Sequence, residues 1–368
     1  MVLSKSGSCR SLLTFAFVLA AACAALSRPV RSVKAGSEAS TGDAAASAHT
    51  QYRGVMSPTH FRAQDFDDLQ QWKVNLVRWQ VKADPKTLAG PVDWTPQLDA
   101  LAQALDAGQK HGIRIVVDLV NPPGGFEPDR TMRMFEDGKS HDQFVDLWRT
   151  IAMRFHGHPA LYGYDLLNEP TTFHALGAGT RDTMQTQIDA ALAIRKVDAA
   201  MPILFQVDGW DLPAKFSRLQ PVPIANVIYE VHMYEPHVYT HQGVDTDQGG
   251  ARGLNVSQQI AYPGRIGVRY FDREALRAIL QPVRDFQLAH HARIYCGEFS
   301  AVRWAPGADR YLDDVTAIFE EWGWDYSYHA FREWQGWDLE YPDSHDMNRS
   351  ATPGARERVM LKRFALNR

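Results

Sequence analysis

Leu161-Tyr-Gly-Tyr-Asp-Leu-Leu-Asn-Glu-Pro170 is a short apolar and aromatic run that stops at an amide, an acid and a proline. Aromatic side chains fit a pleated backbone and proline cannot continue a ladder. The run therefore reads as a strand over Leu161–Leu167 with chemistry at its C-terminal end. Seven comparable runs lie on either side of it: Gln51–Val55, Val74–Trp79, Ile113–Leu119, Pro202–Val207, Val227–Val231, Arg293–Cys296 and Asp325–Phe331. The segments between them carry helical signals. Thr95 as N-cap, Pro96 in the first turn and Gly112 past the end bracket Leu98, Leu101, Ala102 and Leu105 at helical spacing. Ser140 and Gln143 have the spacing of a capping box ahead of Phe144, Leu147, Trp148, Ile151 and Phe155. Asp272 opens a helix with Leu276, Ile279, Leu280 and Val283 on one face, and Leu312, Val315, Ile318, Phe319 and Trp322 form another.

Strands alternating with helices over about 275 residues point to an α/β fold, a (β/α)8 TIM barrel forming a single catalytic domain. An open doubly wound sheet is the alternative, but no G-x-G-x-x-G or P-loop follows an early strand. In such a barrel the chemistry gathers at the C-terminal strand ends. Arg78 ends the second run, Asn168-Glu169 the fourth, His232 and Tyr234 the sixth and Glu298 the seventh, while His329 sits among aromatics at the eighth. Cleaving a glycosidic bond needs one carboxylic acid to protonate the leaving oxygen and a second carboxylate to attack the anomeric carbon or activate water. Glu169 and Glu298 are placed for that pair. A solvated loop acid is the commonest role of a single Glu, and the joint placement of two acids at strand ends argues against it here.

With these residues in place the chain resembles glycoside hydrolase family 5, the cellulase-like retaining barrels. Leu161–Pro170 looks like that family's acid/base strand and Ile294-Tyr-Cys-Gly-Glu-Phe299 like its nucleophile strand. Asn75-Leu-Val-Arg78 resembles its second strand; His232-Met-Tyr-Glu-Pro236 with Tyr239-Thr-His-Gln-Gly243 resembles its sixth strand and loop. The likeness runs from about Arg53 to Glu340, and its ordered set of motifs carries far more than the Asn-Glu-Pro triplet alone. The resemblance implies Glu169 as acid/base, Glu298 as nucleophile, and double displacement with retention. It also implies that Arg78 keeps Glu298 ionised, Asn168 bonds the sugar 2-hydroxyl, Tyr234 bonds the nucleophile and His232 sits by the acid/base.

The chain departs from the family pattern in places. Asp118-Leu-Val-Asn-Pro-Pro-Gly-Gly125 has Val120 where the family often has His, with Asn121 beside it. Strand one ends Gly54-Val-Met56 where the family often has Asn. At strand eight His329 falls where the family has a tryptophan floor, leaving Trp334 or Trp337 to supply the sugar platform from the loop. The loop Glu235 to Tyr270, with Tyr239, His241, Gln242 and Tyr262, is expected to wall the cleft, as long barrel loops often do.

The 368 residues are 45% hydrophobic, 22% charged and 11% aromatic, with a formal charge of −4, which excludes a disordered chain and a broad basic nucleic-acid surface. Residues 1–26 read as a signal peptide, with Lys5 and Arg10 before the apolar stretch Leu12–Ala21, too short for a spanning helix. Residues 27–50 read as an Ala/Ser/Gly-rich tether and 51–368 as the barrel. Loss of residues 1–26 removes two cations and no acid, leaving −6. Leu19-Ala-Ala-Ala-Cys23 loosely resembles a lipoprotein signal, so an anchor at Cys23 is a minority reading beside secretion or a periplasmic address. Of three cysteines only Cys296 lies in the body, so no internal disulfide is available. The sequons at Asn255 and Asn348 bear only on a eukaryotic secretory route.

The expectation is an exported endo-β-1,4-glucanase, a monomer acting on β-glucan without cofactor, metal or nucleic acid. A β-mannanase or exo-β-glucosidase on the same barrel is the alternative. A glycan-binding pseudoenzyme would lack one carboxylate, and both are present. A metal-dependent barrel hydrolase would show an H-E-x-x-H or a ligand-like His-x-His opening strand one, and neither occurs.

Overall fold

The computed structural model describes residues 50–58, 60–177, 180–244 and 259–367. The signal, nearly all of the tether, Cys9, Cys23 and Asn255 lie outside them. Eight parallel strands form a closed barrel: β1 Arg53–Met56, β2 Leu76–Val81, β3 Arg114–Leu119, β4 Leu161–Asp165, β5 Ile203–Phe205, β6 Val227–Met233, β7 Arg293–Phe299 and β8 Asp325–Tyr328. Each strand pairs with its neighbours in chain order, and β8 returns to β1 through Arg53 opposite Tyr326. This is the (β/α)8 barrel expected from the alternation of runs. Among the described residues no helix is long and apolar enough to cross a membrane.

Side chains alternate across each strand with period two, and this divides the core. Leu76, Val116, Tyr162, Leu204, Ile228 and Tyr295 form a separate apolar cluster, while the residues between them pack outward on the helices. Two or three residues further along five of these strands, Arg78, Asp118, Asp165, Gln206 and Glu230 are fully buried, as is Ser327 on β8. The barrel is thus plugged by hydrocarbon at one level and by charge at the next, toward the strand ends.

The outer layer follows the sequence with corrections at the caps. Helix Thr95–His111 begins one residue early for Thr95 to be its cap; Asp93 Oδ1 accepts the Thr95 N–H instead, and Gly112 closes the helix at φ 70°. Helix Gly138–Phe155 is capped by Asp137, whose carboxylate accepts from Ser140 N, so Ser140 is the capped residue and not the cap. Asp is as good a cap as Ser and lies three residues upstream, which is why it prevails. Its buried face (Phe144, Leu147, Trp148, Ile151, Phe155) lies on β4, where Trp148 Nε1 donates to Leu166 O at 2.9 Å. Each such side chain contributes about 1.5–3 kcal/mol on burial. Asp272 caps Arg273–His290 as expected, through Ala275 N. After β5 only a short 3-10 helix, Pro213–Arg218, occupies the outer layer.

Candidate active site

The site sits where the buried polar level meets the strand ends. Arg78 on β2 is its fixed charge: Nη1 lies 2.7 Å from Glu298 Oε1, and the guanidinium also meets Asp118 at 3.1 Å, Asp165 at 2.7 Å and Glu230 at 3.2 Å. Arg78 Nη2 donates to Asn168 Oδ1 at 2.9 Å, so the amide beside Glu169 is oriented by the same cation. Four carboxylates around one guanidinium cannot all keep full charge out of water. Burial pushes Asp118 up to about 7 and Asp165 well above the usual carboxylate range.

A register shift aligns the reacting side of the site. On β6 and β7, Val231 faces Cys296 but the next pair is His232 with Glu298, so Gly297 is passed over. A Cβ on Gly297 would lie 1.6 Å from Glu230 Oε1, so only glycine leaves room for that inward acid. The shift brings Glu298 level with His232 and Tyr234. Burial works against ionisation of Glu298, but His232, His329 and Arg78 outweigh it, and its carboxyl is held well below the usual range. Tyr234 Oη donates to Glu298 Oε2 at 2.9 Å.

Glu169 is held differently. Its φ is 46°, an uncommon conformation for a non-glycine residue, and it places the side chain at the end of β4 rather than in line with the strand. A chain of bonds holds that turn: Gln206 Oε1 accepts the Glu169 N–H at 2.8 Å, and Gln206 Nε2 donates to Asp165 Oδ1 at 3.0 Å. The Glu169 side chain is 31% exposed, against 6% for Glu298. His232 Nδ1 lies 2.9 Å from Glu169 Oε1 and its Nε2 3.2 Å from Glu230 Oε1. Burial disfavours a charged ring, yet Glu298 and the bonds to Glu169 and Glu230 raise the His232 pKa well above its ordinary value. One oxygen of Glu169, one ring nitrogen of His232 and one oxygen of Glu298 all lie within 4.8 Å of one another. Asp211, Glu230 and His232 cluster as closely beneath them. The raised pKa of His232 favours a ring that donates from both nitrogens, which leaves no lone pair for an ion and suits proton chemistry.

The structure thus brings Arg78, Asn168, Glu169, His232, Tyr234, Glu298 and His329 together, as their strand-end positions suggested. His329 approaches Glu298 Oε2 at 3.1 Å through Nδ1. Trp334 stands further out on the β8 loop, edge-on to Trp337 at 4.7 Å and to Trp304 at 6.3 Å. Trp337 is the loop tryptophan that packs directly on site groups, stacking on Tyr234 at 5.6 Å and lying 4.5 Å from His329. Asn121, beside Val120, is buried and its amide donates to Ala83 O. The aromatic crowding at strand eight divides: Trp324, Tyr326, Tyr328 and Phe331 are buried in the core under the helices, and only the loop rings remain near the cleft. Tyr239 and Tyr262 of the long loop are buried as well, bonding Pro306 O and Asp314 Oδ2. Cys296 is buried and free.

Sequence reasoning missed Asp118, Asp165, Glu230, Gln206 and Glu333. The period-two count from Val116 to Asp118 and from Ile228 through Glu230 to His232 could have found two of them. Glu333 has no such signal, because it lies beyond β8 in a loop whose path only the fold sets.

Known proteins resemble this chain in sequence and in fold. The chain is 24% identical over 247 residues to Endoglucanase C of Acetivibrio thermocellus, covering 61% of this chain and 70% of that one. It is 35% identical over 201 residues to Endoglucanase 3 of Fibrobacter succinogenes, covering 48% of this chain but 30% of that protein. The fold matches a crystal structure of a glycoside hydrolase with TM-score 0.67 at 21% identity, over 86% of this chain and 99% of the other. It matches Thermotoga maritima Cel5A with TM-score 0.64 at 18% identity, over 86% and 96%. The family model for cellulase, glycosyl hydrolase family 5, matches residues 39–342. The chain therefore belongs to glycosyl hydrolase family 5 and is a retaining glycoside hydrolase.

Proposed function

We propose that the protein is an exported endo-β-1,4-glucanase in which Glu298 is the nucleophile and Glu169 the acid/base. The observation that carries the mechanism is the approach of Glu169 and Glu298 oxygens to within 4.8 Å. Retaining enzymes hold the two carboxyl groups about 5–5.5 Å apart, whereas inverting ones leave about 6.5–9.5 Å for a water. The two environments support this division of roles. Glu298 is buried and ringed by Arg78, His232, His329 and Tyr234, which suits a permanent anion. Glu169 is the more exposed of the two and is oriented by His232.

In the first step Glu169 gives its proton to the glycosidic oxygen as Glu298 attacks the anomeric carbon. The C–O bond breaks, the aglycone leaves as an alcohol, and a glycosyl ester forms on Glu298. In the second step Glu169 takes a proton from water, the water oxygen bonds to the anomeric carbon, and Glu298 is released. Asn168, whose amide is oriented by Arg78, would bond the 2-hydroxyl of the reacting sugar. His329, and Trp334 with Trp337 on the loop, would bound that sugar from the β8 side.

The substrate assignment draws on the endoglucanase relatives. A mannan is the second reading, because Thermotoga maritima Cel5A, which shares this fold, is described in complex with mannotriose as well as cellobiose. Export draws on the charged and apolar stretches of residues 1–26. A polysaccharide panel with Glu298→Gln and Glu169→Gln controls tests the reading. We expect reducing ends from β-1,4-glucan with the parent and almost none with Glu298→Gln, and the first product formed should be the β-anomer by NMR. Full activity in Glu298→Gln would overturn the mechanism. Activity on mannan alone would overturn the substrate and leave the mechanism standing.

A further inference from the structure

The ring of His329, at the end of β8, lies between two carboxylates. Nδ1 is 3.1 Å from Glu298 Oε2, and Nε2 is 2.5 Å from Glu333 Oε2. The ring is buried and covered by Trp337, so water does not compete for either nitrogen. A neutral ring protonated on Nε2 would leave its Nδ1 lone pair to the Tyr234 hydroxyl, 2.5 Å away; only the imidazolium donates to both carboxylates. Gln80, buried on β2, also hydrogen-bonds the Glu333 carboxylate. The chain Gln80–Glu333–His329–Glu298–Arg78 therefore starts and ends on buried residues of β2.

We propose that Glu333 and His329 are a positioning pair for the nucleophile: Glu333 keeps His329 in its charged form, and His329 presents Glu298 with a fixed cation opposite Arg78. The inference rests on Glu298 being the nucleophile and specifies how that carboxylate is aimed and kept ionised. Arg78 holds Oε1 at 2.7 Å while His329 and Tyr234 hold Oε2, so neither oxygen is free to rotate. Every charged or titratable neighbour of the ring fits this arrangement. Glu298 faces it from β7 and Glu333 from its own loop. Tyr234, just past β6, lies 2.5 Å from Nδ1, and His232 on β6 lies 3.8 Å from Glu298 Oε2. His241, packed on Tyr234 and Trp337, is pushed down to about 3 by burial and by the neighbouring rings of His237 and His329, so it adds no charge.

Burial disfavours the His329 cation, but Glu333 and Glu298 outweigh it and raise its pKa to about 9. When the proton leaves, Glu333 retains the Nε2–H. Nδ1 then becomes an acceptor for the Tyr234 hydroxyl, and Glu298 Oε2 loses both donors together.

The test uses kcat/KM against pH with a 2,4-dinitrophenyl β-glycoside of the preferred disaccharide. That leaving group departs without protonation, so general-acid help from Glu169 is not needed. The parent should lose activity through a limb near pH 9. Glu333→Gln should move that limb down by about one unit, because one of the two anions supporting the imidazolium is gone. His329→Gln keeps a donor without charge. It should abolish the limb, raise the acid limb by about one unit, and lower kcat/KM about 10-fold near neutrality. A Glu333→Gln limb coincident with the parent's would overturn the proposal. Glu298→Gln separates the two failures: if it remains active on this substrate, the nucleophile assignment fails, whatever the limb does.

Discussion

Arg78 Nη1 lies 2.7 Å from Glu298 Oε1, and the guanidinium that makes this contact has no exposed surface. The same group meets Asp118, Asp165 and Glu230, so it neutralises a cluster as well as the reacting carboxylate. Arg78→Lys would keep the charge but lose the planar fork that reaches these oxygens at once. We expect a loss of about 3–5 kcal/mol in unfolding free energy, since buried acids are left without a partner. Activity should fall by more than about 100-fold at neutral pH. Urea unfolding and kcat on the same preparation check both.

Stability should depend on pH in opposite senses at two carboxylates. Glu298 has a folded pKa well below its ordinary 4.5, so it contributes stability that is complete above that value and is lost as pH falls through the folded pKa. Asp118 is raised from 3.8 to about 7, so the folded state binds its proton more tightly and loses stability as pH rises across that interval. Asp118→Asn removes the second effect. The Tm of Asp118→Asn relative to the parent should be higher at pH 8 than at pH 4; the opposite order would place the charge elsewhere.

Phe173 and Trp210 form an exposed edge-to-face pair with centroids 5.4 Å apart. Their loops are tied to the one after Glu169: Gly209 N donates to Pro170 O at 2.9 Å and Trp210 N to Thr171 Oγ1 at 3.1 Å. This puts flat apolar faces on the side of Glu169, where a leaving sugar would lie. Trp210→Ala should raise KM for polysaccharide about 3–10-fold, the range expected for losing one aromatic face. An aryl glycoside with no sugar on that side should be cleaved at the parental rate. Equal loss on both substrates would refute the placement.

Gly297→Ala introduces a methyl group whose carbon would lie 1.6 Å from Glu230 Oε1. The inward acid must then move, which disturbs Arg78 and the His232 ring it touches. We expect at least about 1–3 kcal/mol of destabilisation, and in the double variant with Glu230→Ala a partial recovery of Tm. Absence of any recovery would show that the clash lies elsewhere.

The convergence of the strand-end residues was readable because a barrel brings distant strand ends to one face. Arg78, Glu169, His232, Tyr234 and Glu298 are far apart in the chain, yet each follows an apolar run, and that position alone aims them at a common point. His329 could be placed by the same reasoning. Its partner Glu333 could not, because it depends on how the loop after β8 folds back over the ring. The aromatic residues of strand eight illustrate the opposite limit. Period two sends Tyr326 and Tyr328 to the helix side and Ser327 to the barrel interior, so most of that aromatic surface is core.

The sequence by itself determined the barrel, through alternating runs of strand and helix character, and the two carboxylates at its mouth, through their position after those runs. Tertiary structure alone decided how those carboxylates differ. The β6–β7 register shift sets Glu298 beside His232 and leaves Gly297 to make room for Glu230. The positive φ of Glu169 and its Gln206 anchor hold the other acid at the opening. The physical reason is that a carboxylate's charge depends on burial and on cations within a few ångströms, and those neighbours come from strands far apart in sequence.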